Sequence, residues 1–474
     1  MVSLFCEYSL PLTRVLLRVS VFFLCYFLRY ATLLLALVSY GCMTHSDKMA
    51  SIKEAISFGQ LAKAEKLISE SGTLGHGKGK NRLLFFLEQA TLYHHQKQYK
   101  LAEKSYMKAS ALIDELYTKS LSQGALSFVV NDSTIDYAGE DYEIIALHTM
   151  MALMYIEGGS LSKAHIEARR INTRLRELLK DEEATGSYEY HRDAFALYLS
   201  GLIFEANKNY DSAIIDYRRA LETYDGGYQG GTTPNSLIRS LYLLAKQQGR
   251  SEITSSLSQK YQSHLNLVKK HNSRGGVIVL AKGYPSVGKV SQSFVFALGD
   301  QIIRYAWPVI PNISVPFPEY DFQIKKQSAN VSRSSWPESR YRNHGELVQD
   351  HDRIARSVLE KKRLSLTAKS LTRLVAKGAI THELHQINPL LGVMANLIGI
   401  ITETADTRSW STLPGKIMME RYFLEPGQSY IIHYRSPGAL DQRNVSYHLT
   451  PKKNELYFII LDYTRPHITI TPKP

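Results

Sequence analysis

A chain of 474 residues is longer than one apolar core usually supports, so two domains are expected. Its net charge of +13 suits anionic lipid, glycan or an acidic partner. With three cysteines, at Cys6, Cys25 and Cys42, there is no disulfide framework, and no zinc-finger or RNA-binding signature points to nucleic acid.

Residues 1–41 read as an export signal. Arg14, Arg18 and Arg29 make a positive flank, and the apolar core Ala31 to Val38 is too short to span a bilayer alone. Joined to Val19–Leu28 it would make one spanning helix interrupted only by Arg29, so an uncleaved anchor stays open. Ser39-Tyr40-Gly41-Cys42 resembles the lipobox of bacterial lipoproteins, although Ser39 and Tyr40 stand where a leucine and a small residue are usual. Small Ser39 and Gly41 equally fit a non-lipid signal peptidase, and either enzyme would cut before Cys42. The resemblance implies lipidation of Cys42 and, with Met43 and no aspartate following, the periplasmic face of the outer membrane. An inner-membrane anchor and a soluble periplasmic chain are the alternatives. Cleavage would leave a net charge of +11, a lipid-proximal linker at 42–49, and no cysteine beyond Cys42.

Residues 50–271 read as helical repeats. Tyr99-x-x-Ala102-x-x-x-Tyr106-x-x-Ala109 returns as Tyr210-x-x-Ala213-x-x-x-Tyr217-x-x-Ala220, a spacing that puts all four residues on one helical stripe. Each stripe follows a segment with a small residue between large ones, Phe86-x-x-x-Ala90-x-x-Tyr93 and Leu197-x-x-x-Gly201-x-x-Phe204. A third unit is Ala152-x-x-Tyr155 with Leu161-x-x-Ala164-x-x-x-Ala168, and Leu61-x-x-Ala64-x-x-x-Ile68 is a half-unit. These pairs resemble tetratricopeptide repeats, which implies a solenoid whose groove takes a partner. The unit-ending proline is missing and the spacing is irregular, so Ser120 to Asp141 and Asp181 to Tyr190 are expected to loop out. Ser236–Gly249 and Ser251–Lys270 read as a closing pair.

Residues 275–470 read as a mixed domain, giving an α+β chain overall: an N-terminal helical solenoid, then antiparallel sheet with helices. Strand-like runs occur at Val277–Ala281, Ser293–Ala297 and Ile302–Trp307. A helix is expected from Glu346 to about Leu384, with Ile354, Val358 and Leu364 on its apolar side and a basic opposite face. Pro389 to Ile401 reads as a buried helix, and the strands from Ile417 to Tyr463 as an antiparallel meander.

The run Asp406-Thr-Arg408-Ser-Trp410-Ser-Thr-Leu413-Pro414, with Arg421 and Glu425-Pro-Gly427 behind it, resembles a signature of uncharacterised bacterial tetratricopeptide-repeat-containing outer-membrane lipoproteins. That family shares this order of segments over nearly the whole mature chain and assigns no residue a chemical role. Asp406, Arg408 and Trp410 are the candidate partner-binding residues; equally, Arg408 can pair Asp406 or a carbonyl while Trp410 fills core.

Other chemistry-like runs fall short. Gly283-Tyr-Pro-Ser-Val-Gly288-Lys289 lacks the hydroxyl a P-loop needs next, because Val290 stands there. His382-Glu-Leu-His385 is one residue short of a zincin helix, and Asp350-His351-Asp352 suits a helix N-terminus. With no nucleophile elbow and no triad, neither catalytic residue, cofactor nor metal is expected. The expectation is a non-enzymatic envelope scaffold binding envelope proteins through the repeat groove, in cell-wall synthesis or outer-membrane assembly. The alternative is a periplasmic glycan-binding or hydrolytic protein using Asp406, Arg408 and the Asp350-His351-Asp352 cluster.

Overall fold

The structure, a computed structural model, describes residues 45–72, 74, 77–123, 135–185, 193–230, 232–266, 275–298, 301–327, 345–388, 393, 396, 405–435, 445–465 and 468–473. Residues 1–41, Cys42, the tips of both expected insertions and most of Pro389 to Ile401 lie outside the described residues. The expected linker at 42–49 is helical from His45, and Met49 is buried, because the helix docks on its neighbours.

Eleven helices are described before the first strand: α1 (His45–Ser57), α2 (Leu61–Glu70), α3 (Arg82–His95), α4 (Tyr99–Gln123), α5 (Asp141–Glu157), α6 (Leu161–Thr185), α7 (Ala194–Ala206), α8 (Tyr210–Asp225), α9 (Asn235–Gln247), α10 (Ser251–Lys260) and α11 (Gln262–Leu265). They pack as successive hairpins, α1 on α2, α3 on α4, α5 on α6, α7 on α8 and α9 on α10. Each hairpin turns through three residues, and the middle one is left-handed: Gly59, Lys97, Gly159, Lys208 and Gly249. At every turn the middle N–H and the next N–H return to carbonyls three and five residues back, as Lys208 does to Glu205 and Asn209 to Phe204. This double bond satisfies helix-end carbonyls and suits glycine best. Lys208, at φ 63°, stands where a side chain is strained, so Lys208→Gly should raise stability by about 0.5–1 kcal/mol in urea denaturation.

The alanine and tyrosine stripes face the hairpin interiors: Ala102, Tyr106, Ala109, Ala213, Tyr217 and Ala220 are fully buried. At Gly201 a Cβ would lie 2.5 Å from the Tyr217 ring, so only glycine lets α7 and α8 approach this closely. The even-numbered helices keep an exposed side. By contrast α5 and α7 are buried around almost their whole circumference, which requires cover from a second layer.

That cover is a five-stranded sheet, in the order β10 (Ile470–Thr471), β9 (Leu456–Leu461), β1 (Gly276–Lys282), β6 (Lys416–Phe423), β5 (Glu346–Asp350). β1 runs parallel to β9 and antiparallel to β6, and it is buried on both faces. In this register Ile278 lies beside Arg421 and Phe458, so alternate residues of all three strands point at α5, α7 and α9. Of the other strands, β4 (Asp321–Lys326) pairs with β7 (Tyr430–Arg435), and β7 with β8 (Val445–Leu449). β2 (Val290–Leu298) and β3 (Gln301–Val309) form a separate hairpin along α12 (His351–Ile387).

Three expectations change here. The strands from Ile417 to Tyr463 are not one meander: β6 and β9 flank β1, while β7 and β8 join β4 in another sheet. Glu346–Asp350 is strand, and the helix starts at His351; Leu364, expected on the apolar side, is 80% exposed. Of the stretch expected to be a buried helix, Val393 and Asn396 are described; both are helical, and Val393 is exposed. The expected division at about residue 275 separates helices from strands, but a single apolar core runs from Met49 to Ile470 through both.

Candidate functional site

The Asp406–Pro414 run lies between the two halves. Arg408 forks onto Asp406 (Nε to Oδ1 2.9 Å, Nη2 to Oδ2 2.7 Å) and sends Nη1 to the Ile135 carbonyl at 2.8 Å. Trp410 is 1% exposed; its ring meets Tyr106 edge-on, and its indole N–H donates to the Thr91 hydroxyl at 3.0 Å. Its backbone N–H donates to Glu143 at 2.8 Å, and those of Ser411 and Thr412 to Glu88 at 2.7 and 3.1 Å. Pro414 then bridges Pro285, and the chain enters β6. Arg408 and Trp410 therefore hold this chain's own halves together, and a partner could touch Trp410 only by prising α3 and α5 away from it. Of the three candidate partner-binding residues, Arg408 and Trp410 are thus engaged within the chain, and Asp406, 22% exposed at its side chain, is paired with Arg408.

Glu88 is completely buried, and burial pushes its carboxyl up to about 7 against the hydrogen bonds from Thr412 and Ser411. A carboxyl raised in this way stabilises the folded chain most below its ordinary value of about 4.3, and that contribution fades as pH rises through 7. Between pH 5 and 8 the wild type should lose on the order of 3 kcal/mol more than Glu88→Gln, which should start lower and stay flatter. Parallel slopes in thermal melts across that range would remove Glu88 as the source.

A second buried cluster joins the end of α5 to β1 and the turn after β9. Lys282 Nζ lies 3.1 Å from Glu157 and 2.9 Å from Asp462, Arg465 pairs with Glu157 as well, and its Nε donates to the His95 carbonyl at 2.8 Å. Burial opposes ionisation of Glu157, but Arg465 and then Lys282 overcome it and hold the carboxyl well below its usual range. For Asp462, His95 and Lys282 do the same. Burial, reinforced by Lys282, drops His94 to about 4, so it is neutral near pH 7 and donates from Nε2 to Glu157 at 3.0 Å. A third contact is Arg421, whose guanidinium meets Glu205 through both nitrogens at 3.0 and 3.1 Å.

The Asp350–Asp352 and Lys289 candidates are likewise engaged. In Asp350-His351-Asp352, Asp350 accepts the Arg353 N–H at the start of α12, His351 Nδ1 donates to the Pro414 carbonyl at 2.6 Å, and Asp352 accepts the Val287 N–H. In the P-loop-like run, Lys289 is buried against Glu140 at 2.5 Å and the chain continues as β2 rather than a helix. The space beneath that loop, among Tyr142, Lys289, His351 and Trp410, is about 10 Å³, room for one water and not for a phosphate. His382 stands exposed on α12, and among the described residues no three His, Cys, Asp or Glu side chains gather as a metal site. A cleft of about 310 Å³ opens between α8, α9 and α10, lined by Arg218, Glu222, Glu252 and Lys260.

Glu88, Glu143, Glu157 and Glu205 were not singled out from the sequence, although each is an acid on a helix otherwise rich in apolar residues. Their counterparts Lys282 and Arg421 carry the same signal, a base inside an apolar strand.

No family model matches this chain, and no curated protein does. Among solved structures it is similar to the crystal structure of BtubC (BKLC) from P. vanneervenii, at 15% identity and a TM-score of 0.31, over 48% of this chain and 81% of that one.

Proposed function

We propose that this chain is a bacterial cell-envelope lipoprotein, anchored by acyl chains on Cys42 at the periplasmic face of the outer membrane. It acts there as a non-enzymatic scaffold or accessory factor for another envelope protein, in cell-wall synthesis or outer-membrane assembly. Acyl chains contribute about 0.8 kcal/mol per buried methylene, so two or more hold a soluble body firmly. The helical half is read as a degenerate tetratricopeptide-like array, supported by the buried alanine and tyrosine stripes and the five repeated turns.

One observation carries the reading: the groups best suited to chemistry bind one another across the helix–sheet interface, as Arg408 does Asp406 and Lys282 does Glu157 and Asp462. Groups held in this way stiffen a body rather than face a substrate. Because α5, α7 and α9 are covered by the chain's own sheet, partner capture is assigned to the outward helices, where Leu101, Met107, Ile166 and Ile215 are exposed. Labelled palmitate should enter the wild type and not Cys42→Ala, and Ile166→Asp with Ile215→Asp should lose crosslinked envelope partners while remaining folded. Glycan cleavage by the purified chain that disappears in a folded His351→Gln variant would sink the scaffold reading; label in both proteins would sink the lipoprotein one.

A further inference from the structure

The β2–β3 hairpin and α12 form an arm whose surface is unlike the rest of the molecule. A lone two-stranded hairpin is marginal in water, and this one is supported on one side by α12: the Tyr305 hydroxyl donates to Thr367 at 3.2 Å. Asn396 clamps the backbone N–H and carbonyl of Ile302 at the hairpin's far end. Beyond that support the end of the hairpin is bare. Phe294 and Phe296 share one face and Val295 and Ile302 the other, and exposure reaches 50% at Phe294, 57% at Val295 and 50% at Ile302. Level with Phe294, Tyr305 stacks on Trp307 with ring centroids 5.3 Å apart. Alongside, α12 carries eight Lys and Arg against Asp352, Glu360 and Glu383; Lys362 pairs with Glu140, Arg356 with the Pro311 carbonyl and Asn312, and exposed Arg363 with Glu360. Its exposed apolar residues Leu364, Val375 and Ile387 project from the same rod.

We infer that this arm docks on the surface of a bilayer containing anionic phospholipid. Three features select that occupant. The apolar residues at the hairpin end face both ways, and a folded partner would cover one face where the headgroup boundary surrounds both. Along the hairpin Ile302 and Phe296 come nearest the end, then Val295, then Phe294 level with Tyr305, then Trp307, so the amphipathic aromatics lie behind the aliphatics, in line with the depth preferences of side chains entering a membrane interface. The basic excess of α12 is complementary to anionic headgroups, each Lys or Arg near such a surface adding to attraction, whereas a second copy of the arm would bring like charges together. Asp300, between β2 and β3 and outside the described residues, is the one acidic residue in the sequence from Val290 to Val309, and a carboxylate there favours an interfacial depth over deep insertion. None of this requires lipidation of Cys42.

The test is local, so that the N-terminal segment cannot mimic it. A polarity-sensitive fluorophore is attached at Val295→Cys in the full chain lacking Cys6 and Cys25, with Cys42 replaced by serine, and the protein is mixed with phosphatidylcholine vesicles with or without phosphatidylglycerol. With phosphatidylglycerol the emission should shift to the blue and be quenched by brominated acyl chains. High salt, or Lys361→Glu with Arg363→Glu, should remove most of that quenching. Fluorophore that stays in water on chains that float with the vesicles would overturn the inference. So would equal quenching in neutral vesicles, or a blue shift that depends on protein concentration without lipid, the sign of a second copy. A circular-dichroism melt of each variant, matched to the parent, keeps loss of folding from passing as loss of docking.

Discussion

Arg421→Met should lower the unfolding free energy by about 3–5 kcal/mol, because it strips the counter-charge from a carboxylate with no route to water. Arg421 and Glu205 are both buried, and they meet through two nitrogens and two oxygens. The Tyr217 hydroxyl donates to the same carboxylate at 2.6 Å and Arg421 donates to Ser240 at 2.8 Å, so the ion pair ties β6 to α7, α8 and α9. The cost falls on whichever partner is left behind. Arg421→Met with Glu205→Leu should therefore recover much of the loss, since an apolar pair of similar volume is often as stable as the ion pair it replaces. Urea midpoints of the two single variants and the double variant decide the point. If the double variant is as unstable as the sum of the singles, the two residues act independently and the pairing explanation fails.

Trp410→Ala should cost about 3–5 kcal/mol, as expected for emptying a fully buried aromatic site. Its ring lies between Tyr106 and Thr91, so the cavity opens between the helical half and the sheet. Trp410→Phe keeps most of the packing and drops the indole hydrogen bond, and should cost about 1–2 kcal/mol. Trp410→Ala should also separate the halves kinetically, with limited proteolysis releasing fragments before the strands are lost. A midpoint for Trp410→Ala within error of the wild type would mean that the motif is surface decoration, contrary to its contacts with Glu88, Glu143 and Thr91.

The same interface explains how acid should act. Asp406, opposed by burial but held down chiefly by Arg408, contributes stability above its ordinary carboxylate range and loses it as pH falls through its lowered value. Glu157 and Asp462 behave alike, so the contacts of the second half on α3 and α5 are the ones that acid weakens. Glu88 has the opposite sign, weakening as pH rises through about 7. The interface is thus strongest between the two, with one set of carboxyls ionised and the other still protonated.

Much of the helical half was legible residue by residue. The stripe Tyr99, Ala102, Tyr106 and Ala109 is a local pattern, and the side chains it puts on one face are those the hairpin buries. Gly201 could be read as a small residue between large ones, and the Tyr217 ring explains why it must be small. The burial of α5 and α7 on nearly every side was written in Asp141–Glu157 and Ala194–Ala206, which carry few polar residues, yet the pattern states only that cover is needed. It does not name the cover.

The strands show the same limit from the other side. Gly276–Lys282, Lys416–Phe423 and Leu456–Leu461 could each be recognised as strand from a short apolar run, and their placement at β1, β6 and β9 follows from pairings across more than a hundred residues. A meander was the natural reading of consecutive strands because neighbours in sequence usually pair. Here the demand to cover α5, α7 and α9 pulled β6 and β9 to either side of β1, leaving β7 and β8 to join β4.

Local patterns reveal most of the helices and strands, the apolar face of the repeat helices, and an α+β chain. Periods of 3.6 and 2 residues are properties of a short stretch and survive without knowledge of the rest. It takes the folded arrangement to show that the side chains of the Asp406–Pro414 run are internal fastenings, that lone charges in apolar segments are matched pairs, and that the hairpin beside the basic helix is left bare among the described residues. Those outcomes depend on contacts between residues far apart in the chain, where charge and shape are matched in space and no periodicity records the match.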